Sequence, residues 1–191
     1  MARPRAFDTD VAVERATRLF AEQGFGATPL PLLTARLHIG SGSLYAAFGS
    51  KEGLYARALG HYCAELVQAL TERMAGATDV RAAVRELLLA LAAADVADPE
   101  RGCLLVNAAT ERAAHAPTVE RVRATMAAVE SVLADALQRA RDRGELRPEQ
   151  QPVELARFLT TFVQGLHVMG NARADHAFLA AAVAGALRAL D

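Results

Sequence analysis

Polar side chains with spare hydrogen-bonding capacity are concentrated between residues 37 and 55, which read LHIGSGSLYAAFGSKEGLY. Two short apolar patterns meet there at a Gly/Ser-rich junction, as in two small helices packed at an angle. The donors that a small core does not need are Ser41, Ser43, Tyr45 and Lys51. Because such donors suit phosphate oxygens and base edges, this stretch predicts contact with DNA.

The elements that must position these donors are helical. The chain has 191 residues, 52% of them hydrophobic, which is enough for one large or two small domains. Apolar residues recur at three- and four-residue steps without period-two runs, so the fold class is all-α. Nine helices are predicted, over residues 9–23, 29–37, 41–48, 51–74, 79–94, 103–115, 118–143, 153–169 and 175–190.

Several helix ends carry recognisable capping residues. Gly24 is placed to end the first helix, and Thr28 followed by Pro29 predicts the start of the second, with the threonine hydroxyl as its N-terminal cap. Gly49-Ser50 ends the third helix, and Ser50 can cap the fourth. These signals lie before and within the predicted DNA-contacting stretch.

The charge distribution of the chain is compatible with nucleic-acid binding but does not by itself indicate it. The net charge is −1, but residues 1–60 carry seven Lys and Arg against five Asp and Glu, whereas residues 61–191 carry fourteen against seventeen. The first third therefore has a net charge of only +2. Domains that bind nucleic acid are usually strongly basic.

The sequence predicts a cytosolic protein with reduced cysteines. No stretch reaches the ~18 uninterrupted apolar residues of a membrane span, and MARPRAFDTD lacks the apolar region of a signal peptide. Cys63 and Cys103 lack metal-ligand spacing, so buried thiols are expected, with redox or electrophile sensing at Cys103 as the other interpretation. We expect no metal and no cofactor, because no ligand spacing supports either.

The segment ATRLFAEQGFGAT, followed at fixed distance by GSLYAAFGSKEGLYARAL, resembles the N-terminal domain of TetR-type (TetR/AcrR) transcriptional repressors. The match covers about residues 8–60. RGCLLVNAATE, from Arg101, resembles a branch of these repressors that shares the AFGSKE signature. The resemblance implies a nine-helix, two-domain fold, with a helix-turn-helix DNA-binding domain at residues 1–50 and a ligand-binding and dimerisation domain at 51–191.

The resemblance also implies roles for single residues at the DNA. Thr28 would cap the second helix against a phosphate, Lys51 would meet the backbone, and Leu44 and Phe48 would be internal. The helix that enters the major groove would present Ser41, Gly42, Ser43 and Tyr45, with His38 at the turn before it. Arg3 and Arg5 form a basic arm that either inserts into the minor groove or is a disordered tail.

Three positions depart from the family pattern. Pro31 and Leu32 stand where relatives often carry a polar or charged pair, which predicts fewer phosphate contacts. His38 replaces the turn glycine, so a non-glycine residue must take a positive φ there. Gly40 starts the third helix where a serine is usual.

Two further sites are expected in the rest of the chain. Helices eight and nine are apolar over more than one face, so they are either central or paired with another subunit. Because the function implied by the resemblance needs a dimer, we expect an interface that includes Phe162, Leu166, Phe178, Val183 and Leu187. The family places a ligand pocket among helices four to eight, and apolar walls there would suit a small hydrophobic effector. The residues that could line it are Tyr62, Leu66, Leu105, His115, Met126, Phe158, Phe162 and His167.

Catalysis is not predicted, because the chain has no Gly-rich phosphate loop after a strand, no Gly-x-Ser-x-Gly elbow and no paired carboxylates at metal spacing. The function predicted is a ligand-responsive repressor that binds an inverted-repeat operator as a homodimer. The alternative is a helical dimeric small-molecule-binding or adaptor protein without DNA binding.

Overall fold

The structure is a computed structural model that describes residues 7–191, so Arg3 and Arg5 lie outside the described residues. Within that range the chain forms nine α-helices and no strand, which confirms the all-α class. The helices are α1 (Thr9–Gln23), α2 (Leu30–Leu37), α3 (Ser41–Phe48), α4 (Lys51–Ala75), α5 (Val80–Ala97), α6 (Leu104–Glu111), α7 (Ala116–Asp142), α8 (Pro152–Asn171) and α9 (His176–Leu187). A short 3-10 turn, Arg188–Leu190, follows α9.

No helix in the described part of the chain is long and apolar enough to cross a lipid bilayer.

The helices pack into two compact units. The first contains the chain up to Ala64 together with Cys103–Arg121, and the second contains Glu65–Gly102 together with Val122–Asp191. These units do not follow the division predicted at residue 50. Helix α6, distant in sequence, packs against α1 and so joins the first unit.

Several helices begin or end at the capping residues that the sequence predicts. Helices α1 and α3 have the predicted limits, and the Ser50 hydroxyl accepts from the Gly53 N–H at 3.0 Å at the start of α4. Helix α6 ends at Glu111, four residues earlier than predicted. The reason is that the His115 Nδ1 accepts from the Thr118 N–H at 3.3 Å and so begins α7.

The predicted cap of α2 is wrong. Pro29 is the N-terminal cap residue and makes no side-chain bond, while the Thr28 hydroxyl turns back and donates to the Gly24 carbonyl at 2.5 Å. Thr28 is fully buried, at 0% exposure. Its side chain closes the turn between α1 and α2 and is not presented to a phosphate.

Aromatic rings form the centre of the first unit. Phe20 and Tyr55 are fully buried, with ring centroids 5.0 Å apart in an edge-to-face arrangement, and the Phe25 ring lies 5.0 Å from Tyr55. Leu44 and Phe48 of α3 are buried, as expected of internal positions. Each large buried side chain contributes roughly 1.5–3 kcal/mol through removal of apolar surface from water.

The second unit is an apolar cluster built on α5, α8 and α9, which contact one another. Leu166, Val183 and Leu187 belong to this cluster and are 3%, 1% and 7% exposed. Their prediction as dimer-interface residues is wrong, because they pack within their own chain. Every face of α9 is apolar, so the sequence alone does not distinguish its inward from its outward side.

His38 ends α2 in the left-handed conformation, with φ 56° and ψ 40°, as its place in the turn predicts. The backbone still follows the turn that glycine would form without strain, because the His38 N–H bonds the Ala35 carbonyl and the next N–H, of Ile39, bonds the Thr34 carbonyl. A residue with a Cβ pays a conformational penalty there.

Replacing His38 with glycine should stabilise the protein by about 1 kcal/mol, because the left-handed penalty of ~1–2 kcal/mol exceeds the extra chain entropy of unfolded glycine. Urea denaturation followed by circular dichroism measures this change. His38→Ala is the matched control, since it removes the imidazole and keeps the strained backbone. An equal increase in the free energy of unfolding of the alanine variant would show that the left-handed backbone at position 38 is not strained.

Candidate nucleic-acid interface

Helix α3 has one buried and one open face. Leu44 and Phe48 point into the first unit, whereas Ser41, Gly42 and Ser43 are exposed and Tyr45 is 50% exposed. His38 is also exposed, at the turn that leads into α3. The predicted DNA-facing residues at the turn and on α3 are therefore all accessible, and we call them together the α3 face: His38, Ser41, Gly42, Ser43 and Tyr45.

The start of α3 leaves backbone donors unoccupied by any side chain. Gly40 is the N-terminal cap residue and makes no side-chain bond. The first N–H groups of a helix have no intrahelical acceptor and carry the positive end of its dipole. Phosphate oxygens are suitable partners for such donors, so the small residues here favour close approach of a nucleic-acid backbone.

Lys51 is directed into the first unit. Its Nζ donates to the Phe25 carbonyl at 2.5 Å and lies 4.1 Å from the centroid of the Phe25 ring. Desolvation, followed by repulsion from Arg112, lowers the pKa of the ammonium. The side chain predicted to meet the DNA backbone thus has an internal role in holding the turn between α1 and α2.

The carboxylate of Glu111, at the end of α6, binds the same turn. Its Oε2 accepts from the N–H groups of Phe25 at 2.8 Å and Gly26 at 3.3 Å. Gly24 makes this possible, because a Cβ there would lie 1.8 Å from the Glu111 Oε1. Gly24 also has φ 78°, which favours glycine.

Arg112 and Asn107 complete the connection. The Arg112 guanidinium bonds the Glu52 carboxylate at 2.6 Å and stacks over the Phe25 ring at 4.1 Å. Asn107 donates to the Ala21 carbonyl at 2.8 Å, near the end of α1. Burial raises the pKa of the Tyr55 hydroxyl beneath them to about 12, so it stays protonated.

Two family descriptions match the chain. Residues 12–58 match "Bacterial regulatory proteins, tetR family", and residues 76–186 match "Tetracyclin repressor-like, C-terminal domain". A curated Bacillus subtilis protein, the uncharacterized HTH-type transcriptional regulator YezE, is 32% identical over 92% of each chain. The chain belongs to the TetR family. It is a transcriptional regulator of helix-turn-helix type and not an enzyme.

Other TetR relatives include proteins named as repressors and structures on DNA. The Escherichia coli repressor ComR is 28% identical over 87% of this chain and 80% of its own. A cysteine-substituted TetR-family regulator, CifR, solved with a 26-base-pair operator, is 36% identical with a TM-score of 0.83 over 97% of this chain and 98% of its own. The TetR-type fold predicted from the sequence is confirmed.

Three predicted ligand-lining residues lie in the first unit and have partners there. The Tyr62 hydroxyl is 3.4 Å from the Cys103 Sγ, and Leu105 is 1% exposed. His115 binds Thr118 through Nδ1, and its Nε2 is 3.5 Å from Glu52. The contacts of Tyr62 and His115 and the burial of Leu105 give these side chains a structural role in this TetR protein.

The other five predicted ligand-lining residues lie in the second unit. Leu66 and Phe162 pack against its core cluster, and Phe158 stacks on Phe162 with ring centroids 6.0 Å apart. Met126 is partly buried, and His167 is buried against Asp95. Among residues 7–191, no group of three or more His, Cys, Asp or Glu side chains could hold a metal ion.

Asn107, Glu111 and Arg112 are not among the predicted site residues, although they hold the end of α1 and the turn between α1 and α2. A signal was present, because Asn107 and Glu111 stand four residues apart and so share one side of α6. Their partners lie 85 to 86 residues away in sequence, beyond the reach of periodicity or capping patterns.

Gly24→Ala and Glu111→Ala should be non-additive in the free energy of unfolding. Glu111→Ala removes two charge-assisted bonds, for about 1 kcal/mol at an exposed site, and the methyl group added by Gly24→Ala would displace the same carboxylate. A double-mutant cycle by urea denaturation should therefore show a coupling of about 0.5–1 kcal/mol. Additive costs would show that Glu111 does not bind this turn in solution.

Proposed function

We propose that this TetR-family regulator represses transcription by binding an inverted-repeat operator as a homodimer, with the α3 face in the major groove. The observation that carries this proposal is that Ser41, Gly42, Ser43 and Tyr45 are exposed, although the inward-facing side chains of the same helix are buried in the core. The CifR structure on operator DNA supports it. We further assign the chain to the branch with the AFGSKE signature and RGCLL segment, and to the cytoplasm.

Sequence readout by the α3 face depends on few side chains. Serine and glycine residues at the start of α3 reach only nearby atoms, whereas Tyr45 is long enough to reach a base edge or methyl group. His38 extends from the strained turn beside it. DNA shape therefore contributes to selectivity alongside these direct contacts.

A dimer interface on α8 and α9 is supported by apolar side chains that the single chain leaves open. Phe178 is 51% exposed, Phe158 is 41% exposed and Val168 is 48% exposed. Phe162 is partly exposed beside Phe158. Of the predicted interface residues, Phe162 and Phe178 remain in this proposal, joined by Phe158 and Val168. Association would remove these side chains from water.

A small effector that binds the second unit would release the operator. Met126, Phe162 and His167 are the predicted lining residues that best fit such a role, since they combine apolar surface with a buried polar group. A ligand shifts the equilibrium between DNA-bound and released forms only through different affinities for the two.

Tyr45→Ala should weaken operator binding by about 1–3 kcal/mol, measured by fluorescence anisotropy with a labelled duplex from the upstream region of the gene. Tyr45→Phe keeps the ring and should show an intermediate loss. Because Tyr45 is half exposed, thermal unfolding should not change. If Tyr45 reads a base, the slope of log affinity against log salt stays constant. Wild-type affinity in the alanine variant would contradict the assignment.

Phe178→Asp should convert the dimer to a 20.3-kDa monomer in light scattering coupled to size-exclusion chromatography, because a charge would enter an apolar interface. Val11→Asp is the matched control, since Val11 is an exposed apolar residue of the first unit. It should remain dimeric. A Phe178→Asp protein that elutes and scatters as a dimer would exclude this part of α9 from the interface.

A further inference from the structure

Helix α8 places three polar side chains on one side of its buried surface. Thr160, Gln164 and His167 follow one another at helical spacings of four and three residues. His167 is 7% exposed, although α8 otherwise faces an apolar cluster that includes Leu159 and Leu166. We call these three side chains the polar flank of α8.

The base of the polar flank is a buried pair. The His167 Nδ1 lies 2.9 Å from the Oδ2 of Asp95, a residue of α5 that is 5% exposed. Gly170 allows this approach, because a Cβ there would be 2.6 Å from the Asp95 Cβ. This contact fixes the His167 ring through Nδ1, so Nε2 is the ring nitrogen that remains for a further polar contact.

Two oxygens of the polar flank are buried and have no hydrogen-bond partner within residues 7–191: the Thr160 Oγ1 and the Gln164 Oε1. The Gln164 Nε2 donates to the Thr160 carbonyl at 3.4 Å, which leaves Oε1 as the open end of the amide.

Thr160 differs from other helical threonines of this chain. The hydroxyls of Thr17, Thr71 and Thr110 each donate to the carbonyl four residues earlier. A hydroxyl of a threonine in a helix commonly makes that bond, and a buried polar atom without a partner is destabilising. Among residues 7–191 the Thr160 hydroxyl therefore has no partner, which leaves it open to a bound molecule.

We infer that the polar flank binds the hydroxyl group of a small, largely apolar effector of the phenol or alcohol class. A ligand hydroxyl can accept from the Thr160 O–H and donate to the Gln164 Oε1, with the His167 Nε2 as a further polar contact. The Gln164 Oε1 is an acceptor, so it favours a donor over an anionic carboxylate. This inference rests on the effector-controlled function proposed above and names the chemistry of its ligand.

Isothermal titration calorimetry of the full chain without DNA tests the inference with three matched probes: 2-naphthol, 2-methoxynaphthalene and naphthalene. The wild type should bind 2-naphthol about tenfold more tightly than the other two, the range of one or two buried hydrogen bonds. Thr160→Val and Gln164→Leu should each remove most of that preference. Thr71→Val, an exposed and internally bonded threonine of the same unit, should keep it.

Unfolding temperatures without probe give a second readout. Because each substitution removes an unsatisfied buried oxygen, Thr160→Val and Gln164→Leu should unfold at or above the wild-type temperature. Gln164→Met, which conserves side-chain volume, replaces Gln164→Leu in the titration where the latter does not fold. A lower unfolding temperature together with an unchanged naphthol preference would assign the two side chains to the core and overturn the inference.

Absence of naphthol binding in the wild type, or equal affinity for naphthol and its methyl ether, would also overturn the inference and leave an ordered water as the partner of both oxygens. Operator binding is measured separately. A protein that binds its operator but lacks the naphthol preference would leave the proposed function intact, and the reverse result would leave the hydroxyl site intact.

Discussion

The turn between α1 and α2 is held from three directions. Glu111 binds its N–H groups, Lys51 binds the Phe25 carbonyl, and the Thr28 hydroxyl closes it from within. Only glycine at position 24 gives the carboxylate room to approach. Because Lys51 begins α4 and Glu111 ends α6, this turn ties four helices of the first unit together, and the position of α3 depends on that junction.

This arrangement changes how the regulator must bind DNA. The charged groups of Lys51 and Arg112, in other circumstances suitable for phosphates, are engaged with Phe25 and Glu52. The proposed interface then consists of short side chains, one histidine, one tyrosine and the backbone donors at the start of α3. Such a surface favours close approach over long-range attraction, which is consistent with the proposed binding by two copies.

Local signals predicted much of the fold, whereas long-range partners escaped prediction. The limits of α1 and α3 follow from glycine, serine and apolar spacing within a few residues, whereas the left-handed His38 follows from the family resemblance, which places a turn glycine there. Thr28 shows where such signals fail, because its hydroxyl could either accept from an N–H at the start of α2 or donate to the Gly24 carbonyl, and it does the second. Leu187 and Phe178 look alike in a wholly apolar helix, yet one is buried and the other exposed.

In the proposed function, two α3 faces, one from each copy of the chain, read an inverted repeat. Hydroxyl-radical footprinting of the wild-type protein on the DNA upstream of its gene tests this pairing most directly. Two protected segments related by symmetry, with centres about one helical turn or a multiple of it apart, are the predicted result. A single protected segment, or uniform protection without symmetry, would contradict paired recognition, and the absence of any footprint at low salt would contradict operator binding itself.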